Sequence, residues 1–172
     1  MRKIQLLVLI ILLFLNTHLH SYENNPSKTL PTPRYASLKS NKIKMRIGPG
    51  RKYKTSNIYE CIHHPVKIIA EFDNWRKIED SNGTQGWVYH SLLSNTKYAM
   101  IVNDKHKGTR RLKDKISHHQ LLAFKSPEEN SSAILKVELG VIAKIHKCKK
   151  SWCKISIAKY TGWIKKENLW GV

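Results

Sequence analysis

The feature that most constrains this 172-residue chain is an internal repeat built around tryptophan. Trp75 lies 77 residues before Trp152, and Leu92 lies the same distance before Leu169. A small module that occurs twice is typical of an adaptor or a binding protein. In each copy the tryptophan is followed by a glycine-tryptophan pair: Trp75 by Gly86-Trp87, and Trp152 by Gly162-Trp163.

The pattern of apolar residues favours strands throughout. Apolar and basic residues alternate strictly over 42–47, which predicts a half-buried strand with Ile43, Met45 and Ile47 on its inner face. Asn82-Gly83 is typical of a tight hairpin turn. Since no segment shows sustained helical periodicity, the sequence predicts an all-β chain.

The N-terminus predicts export. A basic Arg2-Lys3 start precedes residues 4–15, which are apolar apart from Gln5. Such a run spans about 18 Å as a helix, short of the roughly 30 Å hydrocarbon core of a bilayer. We therefore expect a signal peptide over 1–21, cleaved near Ser21, and a periplasmic or secreted protein. An uncleaved anchor is the alternative, because residues 19–21 match the small-x-small cleavage pattern only loosely.

The chain is strongly basic. Its formal net charge is +19 at pH 7 and its pI is about 10.0, so it should be attracted to phosphates and to carboxylate-rich polymers. The lysines are scattered rather than grouped in blocks. This favours contact with an anionic surface over specific recognition of nucleic acid.

Three segments resemble the bacterial SH3 domain: 45–50 with its Arg-x-Gly-Pro core, 74–78 with Asn-Trp, and 80–88 with Gly-x-x-Gly-Trp-Val. The first copy carries the resemblance strongly, and the second carries it mainly in its latter half. The resemblance implies two small SH3-like, partly open β-barrels in tandem, each of five strands. The expected organisation is a signal peptide over 1–21, a flexible spacer over 22–34, a first domain over 35–102, a linker over 103–117 and a second domain over 118–172. The alternative for 103–117 is an insertion in the second module.

The resemblance also implies a function. Relatives of this type use the domain to tether wall hydrolases to peptidoglycan peptides, so we expect a non-enzymatic, exported binding module. Its partner would be a cell-wall peptide or an envelope protein, with no cofactor. Two alternatives remain open: a secreted basic effector that binds anionic glycan or nucleic acid, and a wall hydrolase with an unrecognised site. The oligomeric state is left open.

The repeat and its loops provide the candidate binding residues. Trp75 is either half-buried packing or a ligand shelf, because the loop Arg51-Lys52-Tyr53 could bring a second ring and a guanidinium beside it. The predicted ligand-binding set is Arg46, Arg51, Tyr53, Trp75 and Tyr89. The second copy has Glu128 and Glu129 in place of bases, so we expect the first copy to bind an acidic ligand.

A further set of residues is expected to be structural. The glycines would permit unusual backbone or close strand approach, and the tryptophans would fill the core. This set comprises Gly48, Gly50, Gly86, Trp87, Gly162 and Trp163.

Cysteine spacing predicts one disulfide. Cys148 and Cys153 flank a predicted turn and would face each other across a hairpin, in a compartment that is oxidising. Cys61 is left over, and we expect it to be a buried small apolar residue, with intermolecular pairing as the alternative. Free thiols, or half of a metal site, are the alternatives for the pair.

Metal and catalytic sites are not indicated. The adjacent pairs His63-His64 and His118-His119 would point to opposite faces of a strand, so neither chelates, and no metal is expected. Cys61 beside His63 is the weak candidate for a cysteine hydrolase, because a nucleophilic cysteine usually begins a helix and this stretch is extended.

Overall fold

The computed structural model describes residues 30–103 and 120–172. The predicted signal peptide, most of the predicted spacer, most of the 103–117 segment and the pair His118-His119 lie outside the described residues. Among those described, no helix is both long enough and apolar enough to cross a membrane.

The first half of the chain forms one antiparallel sheet of seven strands. The strands are β1 Arg34–Leu38, β2 Ile43–Arg46, β3 Thr55–Tyr59, β4 Pro65–Phe72, β5 Trp75–Glu79, β6 Gln85–Tyr89 and β7 Leu93–Ser94. Their order in the sheet is β3-β2-β6-β5-β4-β1-β7. A 3-10 turn, His90–Leu92, precedes β7.

The second half repeats this arrangement in a second antiparallel sheet of seven strands. The strands are β8 Tyr98–Ile101, β9 Leu121–Phe124, β10 Ala133–Val137, β11 Ile142–Lys149, β12 Trp152–Ile157, β13 Tyr160–Lys165 and β14 Leu169–Trp170. Their order in the sheet is β10-β9-β13-β12-β11-β8-β14. A second 3-10 turn, Lys166–Asn168, precedes β14. The all-β prediction of two SH3-like domains in tandem is confirmed, with seven strands to a sheet instead of five.

The structure moves the boundary between the two modules. The sequence predicts a first domain that ends at 102, but Tyr98–Ile101 pairs with β11 and β14 and therefore belongs to the second sheet. The strands on either side of the predicted linker, β8 and β9, lie in the same sheet, which favours the alternative of an insertion in the second module over a linker between modules. At the other end, β1 begins at Arg34, inside the predicted spacer.

Each sheet surrounds its own apolar cluster. Leu38, Met45 and Ile78 are completely buried in the first, and Ile101 and Ala143 in the second. Ile47 does not join the first cluster as predicted, because the β2–β3 register shifts after Met45 and β2 ends at Arg46. Its side chain is 63% exposed.

The two barrels lie in one compact unit, Thr32–Val172, and aromatic rings join them. His63, whose backbone has a φ of 65°, stacks in parallel on Tyr98 with ring centroids 4.2 Å apart. Tyr35 meets Trp170 edge to face at 5.3 Å. Tyr35, Tyr98 and Trp170 belong to β1, β8 and β14, and His63 lies in the turn before β4, so these strands and this turn meet at the junction.

Candidate functional site

An open groove on the first barrel gathers basic and aromatic side chains. Its volume is about 680 Å³. We call it the basic groove. It is lined by Lys42, Lys44, Arg46, Arg51, Trp75, Tyr89, Ser91 and Leu92.

Strand β2 positions the bases of the basic groove. Its inner residues, Ile43 and Met45, are buried at 1% and 0% exposure. Because side chains alternate along a strand, Lys44 and Arg46 project to the other face. The alternation that forms the core therefore also places a row of positive charge beside the aromatic residues of β5 and β6.

Arg46 is fixed in place by the loop that follows it. Its guanidinium donates a hydrogen bond of 2.6 Å to the backbone carbonyl of Tyr53. The ring of Tyr53 packs on Gly48, where an added Cβ would lie 2.5 Å from the ring. Tyr53 thus supports the loop and does not line the groove, which differs from its predicted role as a ligand contact.

Trp75 and Tyr89 form the aromatic wall. They are paired across β5 and β6, and their rings meet edge to face with centroids 5.6 Å apart. Both side chains are half-buried. Trp75 is therefore compatible with both predicted roles: part of its ring packs against the protein, and part remains accessible from the groove.

The groove is unbalanced in charge. None of its lining residues is acidic. Within the described residues, Lys42, Lys44 and Arg51 form no ion pair, and the ion pairs of the first barrel join Glu71 to Arg34 and Arg76. A cleft lined by one sign of charge concentrates ligands of the opposite sign.

In the second barrel, side chains fill the position that corresponds to the basic groove. Trp163 pairs with Phe124 as Trp87 pairs with Arg46, so Phe124 takes the place of the groove arginine. The ring of Phe124 packs edge to face on Trp152, the counterpart of Trp75, with centroids 5.5 Å apart. Trp152 is only 5% exposed.

An ion pair covers the same region of the second barrel. Lys165, the counterpart of Tyr89, lies 2.7 Å from a carboxylate oxygen of Glu129, and its Nζ is 5.7 Å from the centroid of the Trp152 ring. The hydrogen bond to Glu129 raises the pKa of Lys165. The cation and the aromatic ring are thus engaged within the protein.

Four of the five predicted ligand residues come together in the basic groove, and Tyr53 is the exception. Lys42 and Lys44 were not among the ligand-binding residues predicted from the sequence. Their alternation with the apolar residues of β2 was the available signal, because it predicts that they share a face with Arg46. Ser91 and Leu92 in the 3-10 turn were not predicted either.

The predicted structural tryptophans differ in burial. Trp163 is 9% exposed but lies outside the apolar cluster of the second barrel. Trp87 is half-buried and lies outside the cluster of the first barrel, so it is not the core residue that the sequence predicts. Gly86 does sit at a close strand approach: an added Cβ would lie 2.9 Å from the Arg46 carbonyl and 2.5 Å from Met45. Gly50 contacts the other side of the Tyr53 ring.

The disulfide prediction is confirmed. Cys148 and Cys153 are directly paired across the β11–β12 hairpin and joined by an S–S bond, with their Cα atoms 4.0 Å apart. The prediction for Cys61 is wrong, because it is exposed. It lies between β3 and β4, outside both strands, so no sheet packs over it.

A buried polar cluster beneath the first barrel was not predicted. Asp80, 6% exposed, accepts hydrogen bonds from the backbone of Asn82 and Thr84 and from the Tyr59 hydroxyl. Burial, reinforced by Asp80, raises the pKa of Tyr59. Burial lowers the pKa of nearby His64, and its buried Nε2 has no hydrogen-bond partner in the described structure. This cluster anchors the β5–β6 hairpin.

The contacts of Cys61 and His63 bear on the hydrolase alternative. The Cys61 thiol donates to the Ile62 carbonyl at 3.7 Å, while His63 stacks on Tyr98. Across residues 30–103 and 120–172, no histidine is hydrogen-bonded to Cys61, and no group of three or more His, Cys, Asp or Glu side chains could hold a metal ion.

One relative is similar to this chain over most of its length. The chain is 26% identical over 133 residues to YrvJ of Bacillus subtilis (strain 168), a protein named provisionally as an N-acetylmuramoyl-L-alanine amidase. That match covers 77% of this chain and 24% of the relative, so the chain spans about a quarter of the relative's length.

The solved structures that are similar to this chain have lower sequence identity to it. NlpC2 of Trichomonas vaginalis has 13% identity and a TM-score of 0.33, with 83% of this chain and 49% of that chain covered. An NlpC/P60 family protein of Bacillus cereus ATCC 10987 has 9% identity and a TM-score of 0.34, with 79% and 55% covered.

The family assignment depends on both halves of the chain. The Bacterial SH3 domain family matches residues 39–95 and 119–171. The first segment contains the basic groove, and the second contains its filled counterpart. With the repeated strand order and a family match over each copy, this chain belongs to the bacterial SH3 domain family.

Proposed function

We propose that this protein is a non-enzymatic binding module of the cell envelope that holds a carboxylate-bearing wall peptide in the basic groove of its first barrel. The Arg2-Lys3 start and the apolar run after it support export. The family match and the wall-hydrolase name of its Bacillus subtilis relative support a wall ligand. Fold alone does not fix function, so the proposal depends on the groove.

One observation carries the proposal: equivalent positions are open and basic in the first barrel but filled in the second. Where the first has Arg46 beside a half-buried Trp75, the second has Phe124 packed on a buried Trp152. A filled counterpart demonstrates that the fold does not need this groove for packing. The groove bases therefore have a role outside the core, and carboxylate binding suits them.

The groove chemistry defines the kind of peptide. Arg46, held by the Tyr53 carbonyl, presents a fixed guanidinium for a carboxylate, and such charge-assisted pairs are stronger than neutral hydrogen bonds. Trp75 and Tyr89 offer an apolar wall for the aliphatic part of the same ligand. A short acidic peptide would satisfy both, and the second barrel would add no equivalent site.

Co-sedimentation with purified sacculi tests the proposal. Trp75→Ala should lower retention about thirtyfold, since truncating a ring in a desolvated contact typically costs about 2 kcal/mol or more. Lys52→Ala is the matched control, because this exposed lysine is next to the groove residue Arg51 in the chain but does not line the groove. Loss of an exposed charge usually costs less than about 1 kcal/mol. Circular dichroism verifies that both variants are folded.

The pattern of losses decides the outcome. Weaker retention for Trp75→Ala with little change for Lys52→Ala supports the groove. Equal losses for every lysine variant, with Trp75→Ala unaffected, would mean that the basic surface alone meets the anionic wall, and the groove assignment would be abandoned. Turnover of peptidoglycan that disappears in Cys61→Ala would instead establish a hydrolase.

A further inference from the structure

The outer surface of the second barrel carries a sheet of lysines. Along β12, Cys153 and Ile155 point into the core, so Lys154 between them points outward. Its neighbours on the adjacent strands are Lys147 on β11 and Trp163 on β13. We call this surface the lysine face, and its lysines are Lys144, Lys147, Lys149, Lys154 and Lys165.

The charges on the lysine face are largely unopposed. Lys147 stands directly opposite Lys154, and Lys144 stands opposite Ser156. Like charges placed opposite each other in a sheet are destabilising. In the described part of the chain, the one ion pair on this face joins Lys165 to Glu129, and Glu167 is the other carboxylate that acts on that lysine.

The fold itself does not require this charge. On the corresponding face of the first barrel, Lys67 is opposite Glu79, and Lys77 is opposite Ala70. The same strand positions can therefore hold a balanced set of side chains. Unopposed lysines cost stability in the second barrel, and an anionic partner would offset that cost.

The face is also held in register. The Cys148–Cys153 disulfide joins β11 to β12 immediately beside the Lys147–Lys154 pair. The Nζ of Lys147 lies 5.9 Å from the centroid of the Trp163 ring, and this contact restricts the conformation of the lysine side chain. Less ordering is then needed on binding, which favours affinity.

We propose that the lysine face docks on a surface of anionic phospholipid headgroups. The lysines extend over three adjacent strands, spaced about 4.8 Å apart, so they form a two-dimensional array rather than a linear track. Lysine suits phosphates met as point charges. Both tryptophans of this face are buried, at 5% for Trp152 and 9% for Trp163, so neither offers a ring on which a nucleobase could stack.

Vesicle sedimentation tests this docking with the full exported chain. Vesicles of phosphatidylglycerol and phosphatidylcholine should bind the protein, and neutral phosphatidylcholine vesicles should not. Each lysine near an anionic bilayer contributes about fivefold in affinity, so the triple variant K144Q/K147Q/K154Q should bind roughly a hundredfold more weakly. The matched control K39Q/K54Q/K97Q removes the same charge from exposed lysines outside this face.

The comparison of the two triple variants distinguishes binding through the lysine face from binding through the net charge of the protein. A loss of more than tenfold between the two triple variants supports the proposal, and equal binding by the two overturns it. A loss seen with soluble linear polyphosphate but not with vesicles also overturns it, because the ligand would then be a linear polymer. Trp75→Ala should leave vesicle binding unchanged, so failure here is distinct from failure of the groove.

A second readout controls for misfolding. Removing the opposed Lys147–Lys154 charges relieves repulsion, so K144Q/K147Q/K154Q should melt at a higher temperature than the parent chain at low salt. A lower melting temperature would show that these lysines serve the fold, and the docking role would be withdrawn.

Discussion

Phe124 packs edge to face on Trp152, with ring centroids 5.5 Å apart, at the positions where the first barrel has Arg46 and Trp75. Phe124 in place of Arg46, together with the Lys165–Glu129 ion pair, thus separates a filled site from an open one. Trp152 is 5% exposed, whereas Trp75 is half-buried. The two tryptophans occupy the same place in the repeat but have different physical roles.

The first prediction compares the stability cost of these tryptophans. Trp152→Ala should lower the free energy of unfolding by about 3–5 kcal/mol, because it removes a buried ring and leaves a cavity. Trp75→Ala should cost less than half of that, since its ring is already partly in water. Urea denaturation measures both, and equal costs would contradict the difference in burial.

The second prediction concerns matched glycines. An added Cβ at Gly86 would lie 2.9 Å from the carbonyl oxygen of Arg46, which is backbone and cannot turn aside. At Gly162 the nearest atom would be the Ala123 Cβ, at 3.0 Å, and the nearest backbone atom lies at 3.5 Å. Gly86→Ala should therefore destabilise the protein by about 1–3 kcal/mol. Thermal unfolding should show a smaller loss for Gly162→Ala, and the reverse order would refute the steric argument.

Much of the fold could be predicted because strand alternation and repeated glycine-tryptophan pairs are local signals. The all-β class, the repeat and the Cys148–Cys153 hairpin all follow from short-range patterns. The structure corrects the repeat offset near the end of each copy. Leu38 pairs with Leu93 and Ile101 pairs with Leu169, so Leu93 and not Leu92 corresponds to Leu169.

Long-range pairing explains most of the errors. Tyr98–Ile101 follows the first module in sequence but pairs with strands that begin more than forty residues later, and no local pattern specifies such a partner. The exposure of Ile47 depends on a register shift. Likewise, Tyr53 could be placed near the groove from sequence, but its packing on Gly48 depends on the path of the loop.

The third prediction concerns the cysteines. Because Cys61 is exposed, a maleimide should label one thiol in the folded protein without denaturant, and Cys61→Ser should abolish that labelling. The native mass should be lower than the reduced mass by two hydrogen atoms, owing to the Cys148–Cys153 bond. Three reactive thiols in native protein would contradict the disulfide, and labelling only after unfolding would contradict the exposure of Cys61.

The fourth prediction concerns pH. Burial lowers the pKa of His64, and its buried Nε2 has no hydrogen-bond partner in the described structure. The unfolded chain binds this proton near pH 6.5, whereas the folded protein binds it only at lower pH. As pH falls below about 6.5 the unfolded state takes up more protons, so stability present at neutral pH should be lost across the window down to the folded pKa.

His64→Phe tests this dependence because it keeps a ring beside Tyr59 and removes the titrating nitrogen. The free energy of unfolding, measured by urea titration from pH 7.5 to pH 5, should fall less steeply in this variant than in the parent chain. His90→Phe, at an exposed position, is the matched control. If both substitutions flatten the profile equally, the slope comes from the histidines in general, and His64 has no special part in it.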